Sequence, residues 1–209
     1  MIKGILFDLD GTIVDTNELI IQSFTYVLNE YLGLKVSRQE IIKTFGAPLI
    51  ETMRHYGGDR AEEITKVYID YSHDIQSKYI RAYEHVEEGL IKLKKAGLKL
   101  AIVTSKRRTV ALSCMNEFDL EKYFDVIVTP EDTKIHKPKG EPVLKACELL
   151  KLKPDETIMV GDSHNDILCG KNAGALTALV KYTALDLKEL YDLKPDYSID
   201  KIEELLKVV

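Results

Sequence analysis

The chain has 209 residues, 45% of them hydrophobic and 30% charged, with a formal net charge of −5. That length accommodates one full core domain plus a smaller insert, and the composition is ordinary for a globular protein. The acidic balance gives no support for a nucleic-acid partner or a polybasic membrane surface, so an anionic ligand must be held by a local site, helped by a cation. No run reaches the roughly 18–20 apolar residues that span a bilayer. The opening MIKGILFDLDGT lacks the apolar stretch and cleavage site of a secretory signal. Cys114, Cys147 and Cys169 all fall in helix-like segments; this sparse, odd set argues for packing roles in a reducing cytoplasm rather than a disulfide framework.

The first predicted strand is Lys3–Phe7, where Ile5, Leu6 and Phe7 form the unbroken apolar run of a strand covered on both faces. From Asn17 to about Ile80 the pattern is helical. Leu19, Ile20, Phe24, Val27, Leu28 and Tyr31 recur at helical spacing, Ser37 and Glu40 suit a capping box, and Asp59–Ile80 reads as a further helical stretch. After Glu84 strands and helices alternate. Helix Val86–Ala96, ending at Gly97, precedes strand Lys99–Thr104; helix Thr109–Phe118 precedes strand Val126–Thr129. Helix Glu141–Leu150 leads to strand Thr157–Gly161, and helix Asp166–Asn172 to strand Leu176–Val180. A short helix and a last strand near Tyr197–Ile199 follow. This alternation predicts an α/β fold with a doubly wound, Rossmann-like parallel sheet. Residues 1–15 and 84–209 then form the core, and 16–83 an inserted α-helical cap.

In such sheets ligands sit outside the carboxyl ends of the strands. Polar residues cluster at four of those ends: Asp8 and Asp10 after the first strand, Thr104 on the second, Lys137 after the third and Asp162 on the fourth. Asp8 and Asp10 are two apart, so on extended chain both side chains point the same way, and Gly11 then permits a tight turn. Adjacent carboxylates repel, and a hard cation such as Mg²⁺ offsets that repulsion, with Asp162 as a further oxygen ligand. Asp8 can then attack phosphorus to form an aspartyl phosphate, while Asp10 protonates the leaving oxygen and later deprotonates water. Thr104 and Lys137 would hold the transferring oxygens.

FDLDGT (Phe7–Thr12), IVTS (Ile102–Ser105), HKP (His136–Pro138) and VGDSHND (Val160–Asp166) together resemble the four ordered motifs of the haloacid dehalogenase (HAD) superfamily. The resemblance covers essentially the whole chain, cap included. It implies that Asp8 is the nucleophile and that Asp10 is the acid/base and a magnesium ligand through its carbonyl. Asp8 and Asp162 complete the metal set, with Asp166 steadying it. Thr12, Thr104 and Lys137 then belong to the phosphate site. Asp10 favours phosphoryl transfer over dehalogenation, which needs no acid at that position. After Pro138 the chain departs from the family pattern, with Lys139 and Gly140 where an acidic or small residue and a second proline are common.

Simpler roles stand beside these. Ser163 and Asp166 suit a capping box as well as a catalytic support; Ser105 suits a helix N-cap or a backbone donor as well as a substrate contact. His136 and His164 lack metal-ligand spacing and read as spectators. The basic stretch Lys92–Arg108 reads as a solvated helix face, with Lys106 the exception that joins the substrate site.

A helical cap over the site favours a small soluble phosphate. Gly46 and Pro48, in Phe45–Gly46–Ala47–Pro48, interrupt the helical pattern and resemble the substrate loop of caps of this type. Four stretches, Thr16–Ile21, Tyr71–Asp74, Val103–Lys106 and Met159–Gly174, resemble a pyrophosphatase branch of the family, implying inorganic pyrophosphate as substrate. Its distal phosphate needs several donors, for which Lys43, Arg54, Arg60 and Lys106 are candidates. Phosphoglycolate phosphatases share nearly all these features, and a phosphomutase is a further reading. A phospho-accepting signalling domain is the alternative from another class, disfavoured by the cap and by Asp10. Oligomeric state is not legible: no heptads or repeats point to an assembly.

Overall fold

A computed structural model describes residues 1–209. Six parallel strands form the central sheet: β1 (Gly4–Phe7), β4 (Lys99–Val103), β5 (Val126–Val128), β6 (Thr157–Gly161), β7 (Leu176–Val180) and β8 (Tyr197–Ile199). They lie in the order β5-β4-β1-β6-β7-β8. The apolar run of β1 is buried on both faces because helices cover both. Ile5 and Phe7 join a cluster with Val86, Leu90 and Leu93 of α5 (Val86–Lys95) and Ala111, Cys114 and Met115 of α6 (Arg108–Asn116). Leu6, facing the other way, packs with Val143, Ala146 and Leu150 of α7 (Glu141–Leu150) and Cys169 of α8 (His164–Ala173). All three cysteines are buried and unpaired. No helix is long and apolar enough to cross a membrane.

The register places the site. Phe7 pairs with Ile102 on one side and Val160 on the other, so β1, β4 and β6 end together. β1 and β6 are neighbours although the chain runs from β1 to β4 before returning, which makes their carboxyl ends the switch point where α/β sheets bind ligands.

Between the core strands lies a helical block: α1 (Asn17–Thr25), a π-helical extension (Tyr26–Tyr31), α2 (Arg38–Ile42), α3 (Leu49–Gly57) and α4 (Ala61–Tyr79). Its own apolar cluster contains Phe24, Val27, Leu28, Ile41, Met53, Ile64 and Tyr68. Ser37 and Glu40 form the expected capping box. The chain enters and leaves this block through a two-stranded antiparallel ribbon, β2 (Val14–Asp15) against β3 (Arg81–Ala82). Two-residue strands carry no periodicity, so the ribbon was not readable from sequence. Leu19 and Ile80, inside the expected cap range, pack with the core cluster beside this ribbon.

Most boundaries of the core elements fall at the expected residue, and the others differ by one or two. β1 begins at Gly4 rather than Lys3, and β4 ends at Val103, leaving Thr104 just beyond the strand. The starts of two helices bear on the site. α6 starts at Arg108 with Arg107 as its N-cap, so Ser105 is not an N-cap but part of the bend between β4 and α6. Conversely α8 starts at His164, which puts Asp166 in its first turn, in a capping box with Ser163.

Candidate active site

Asp8 follows β1, and its amide donates to the carbonyl of Val160 at 2.9 Å, which ties the start of the site loop to β6. The loop turns at Gly11 (φ +74°), and Val14 O accepts from Gly11 N at 2.9 Å. A side chain at 11 would be strained by that φ and would also lie 2.3 Å from Asp162 Oδ2. Glycine is therefore required twice over, and the loop packs directly on the carboxylate at the end of β6.

Asp8, Asp162 and Asp166 are buried, with ligand oxygens all within 4.8 Å of one another. The one ammonium among them is Lys137, itself 5% exposed, whose Nζ lies 2.9 Å from Asp8 Oδ1 and 2.6 Å from Asp166 Oδ1. Burial would pull Lys137 down, but Asp166 and Asp8 outweigh it and hold the ammonium well above its usual range. Burial pushes Asp8 up to about 7, with Lys137 opposing and Asp166 and Asp10 adding to the rise. Asp162 is raised well above the usual carboxylate range by burial, then by Asp166 and Asp8.

This donor set fits a hard divalent cation. Three buried carboxylates share a single ammonium, leaving two negative charges to be neutralised, and every donor is an oxygen. Asp166 is the least free of the three. Its Oδ1 accepts from Lys137, and its Oδ2 accepts from Ser163 N at 3.1 Å and Ser163 Oγ at 2.6 Å. It holds the lysine and caps α8, leaving Asp8 and Asp162 as the carboxylates open to a metal.

Asp10 points to a separate group. Its Oδ1 accepts from the buried hydroxyl of Thr16 at 2.6 Å and forms an ion pair with Lys106. Burial lowers Lys106, but Asp10 more than compensates, and the ammonium is held above its usual range. Tyr68 of α4 is buried, and burial holds its hydroxyl above the usual range, with Lys106 lowering and Asp10 raising it. Thr104 is 5% exposed and accepts from Lys106 N at 3.1 Å. Thr104, Ser105, His136 and Lys137 line one narrow crevice with Thr129 and Thr133. Thr12 is fully buried and its hydroxyl has no partner.

Of the cap residues, Gly46 reaches the core: its carbonyl accepts from Asn165 Nδ2 at 2.6 Å. Pro48 is the N-cap of α3, its carbonyl accepting from Glu51 N and Thr52 N. Arg60 is committed to Glu63, with Nη2 2.7 Å from Oε1 and Nε 3.0 Å from Oε2, so it is a poor substrate donor. Lys43 and Arg54 are exposed.

Three site neighbours escaped the sequence reading. Thr16 begins the Thr16–Ile21 stretch, where nothing local marks it as a partner of Asp10. Asn165 sits inside VGDSHND, masked by its acidic neighbours. Thr183, whose hydroxyl donates to Asp162 Oδ2 at 3.3 Å, follows β7, where the strand-end rule that found the others also applies.

The fold and this carboxylate–lysine cluster define a family. Residues 5–180 match the family described as haloacid dehalogenase-like hydrolase, and the chain belongs to it. It is a hydrolase with a carboxylate set suited to a divalent metal. Within the family it is 40% identical over 208 residues to the pyrophosphatase PpaX of Bacillus mycoides, covering 100% of this chain and 97% of that protein. A Caldanaerobacter subterraneus protein provisionally given the same name is 47% identical over 208 residues, covering 100% of this chain and 94% of that one. A crystal structure described as a predicted phosphatase from Clostridium acetobutylicum superposes with a TM-score of 0.83 at 30% identity, covering 100% and 98% of the two chains.

Proposed function

We propose that the protein is a Mg²⁺-dependent phosphohydrolase that splits inorganic pyrophosphate into two phosphates through a phosphorylated Asp8. The observation that carries the substrate is the full-length likeness to proteins named pyrophosphatase PpaX. The chemistry is supported by the pairing of Asp8 with Lys137 and, two residues on, of Asp10 with Lys106.

In the first step an Asp8 oxygen attacks one phosphorus, the bond to the bridging oxygen breaks, and Asp10 gives its proton to the departing phosphate. In the second, Asp10 takes a proton from water, whose oxygen attacks the same phosphorus and releases Asp8. Lys137 and Thr104 hold the oxygens of the transferring group, where positive charge and a hydroxyl stabilise the developing charge. Asp8, Asp162 and the Asp10 carbonyl would hold Mg²⁺, which would neutralise charge so that an anionic nucleophile can meet an anionic substrate. Asp166 keeps Lys137 in place. Thr12, Ser105, Lys106, Gly46 and Pro48 complete the substrate surroundings. Of the four cation candidates, Lys106 is the one that pairs with the proposed acid/base Asp10, and it is assigned to the distal phosphate. The natural compartment is the cytoplasm, consistent with three unpaired buried thiols.

Phosphate release from pyrophosphate and phosphoglycolate, measured side by side with Mg²⁺ and with EDTA, tests this. Magnesium-dependent turnover favouring pyrophosphate is expected. A large preference for phosphoglycolate would retain the chemistry and refute the substrate.

A further inference from the structure

The loop at residues 45–48 makes one hydrogen bond to the core, at the α8 N-terminus. Gly46 adopts φ +79°, and its carbonyl accepts from the side chain of Asn165, which is 6% exposed. The contact is too close for a side chain at 46: a Cβ there would lie 2.8 Å from Ser163 Oγ and 3.0 Å from Ser163 Cβ. Ser163 Oγ donates to Asp166, Asp166 accepts from Lys137, and Lys137 holds Asp8. An unbroken set of contacts therefore runs from the cap loop to the proposed nucleophile.

We propose that Asn165 is the core half of a latch that holds this cap loop closed over the substrate, making it a positioning residue for pyrophosphate binding; the inference rests on the function proposed above. The amide suits the task. It is neutral, so it seats a backbone carbonyl beside the carboxylates without adding to their charge, and Nδ2 donates where Asp or Ala could not. It is a single hydrogen bond, so it can open to release product. Closing it raises the fraction of molecules in the binding-competent form, and removing it lowers that fraction, which appears as a rise in KM.

The test compares the full-length protein with Asn165→Ala, Gly46→Ala and the double variant. In Asn165→Ala, KM for pyrophosphate rises about tenfold with a smaller change in kcat, the scale expected for one well-placed hydrogen bond. Amide exchange at Phe45 and Ala47, whose N–H groups bond to Ile42 O at 3.0 Å and Thr44 O at 3.1 Å, speeds up without substrate, while Tm holds. Gly46→Ala shows the same rise in KM and the same faster exchange, with a lower Tm from its positive φ, and the double variant loses less in KM than the sum because both changes open one contact. Unchanged exchange at Phe45 and Ala47 in Asn165→Ala, or a loss confined to kcat, overturns the latch. The exchange measurement needs no turnover. It therefore separates failure of the latch from failure of the pyrophosphatase reading, which wild-type phosphate release decides.

Discussion

Lys137 bridges Asp8 and Asp166, with its ammonium 2.9 Å from one carboxylate and 2.6 Å from the other. Because all three are buried, the lysine is both the electrostatic support of the proposed nucleophile and a structural requirement. Lys137→Ala is expected to destabilise the fold by about 3–5 kcal/mol, the usual cost of leaving buried charge unpaired. Activity should fall at least about 100-fold, since the group facing the transferring phosphoryl is gone. Denaturant melts and steady-state turnover check both; a variant with unchanged stability would mean that the carboxylates are neutralised some other way.

Asp8 sets a pH dependence with a definite sign. Its carboxyl is raised from 3.8 to about 7 by burial, with Lys137 opposing. The unfolded chain therefore loses this proton before the folded one does. The stability linked to Asp8 is fully present below about pH 4 and is lost as pH rises through about 7. With EDTA, the wild type should lose Tm across that window relative to Asp8→Asn, which has no carboxylate to ionise. Added Mg²⁺ should raise the wild-type Tm more at about pH 8 than at about pH 5, because it binds the ionised form. Parallel EDTA curves for the two proteins would contradict this.

Thr16 steadies Asp10 through a 2.6 Å hydrogen bond. Thr16→Val keeps the shape and removes the donor. We expect kcat to fall about tenfold with KM little changed, and Thr16→Ser to recover most of the loss. A change in KM alone would place Thr16 in substrate binding instead.

Gly11 is pressed against Asp162 at a positive φ. Gly11→Ala should cost about 1–2 kcal/mol from the left-handed backbone alone. It should also displace the Asp162 carboxylate, weakening Mg²⁺ binding measured by calorimetry. Normal Mg²⁺ affinity in a folded Gly11→Ala protein would remove Asp162 from the metal set.

The sequence was most legible where a residue's role follows from its place on a strand. The buried run at Ile5–Phe7 and the polar residues at four strand ends announced a parallel sheet and its switch point, because both depend on local order. It was less legible where a role depends on distant chain. That Gly46 rests on Ser163 and Asn165 is a contact across more than a hundred residues, and nothing in either segment encodes its partner. Ser105 shows a different limit. Its hydroxyl suits an N-cap, but the chain runs on through Arg107 before turning helical, since capping preference is weaker than the path that the loop must follow from β4. Arg60 was a sound cation candidate by charge alone; the nearby Glu63, one helical turn on, claims it.

The most direct test of the central claim is to quench the wild-type protein in acid during turnover of labelled pyrophosphate with Mg²⁺ and map the label by mass spectrometry. A phosphoryl group on Asp8, absent from Asp8→Asn, is the predicted result. Turnover with no label on Asp8, together with an active Asp8→Asn protein shown to be free of deamidation, would contradict it.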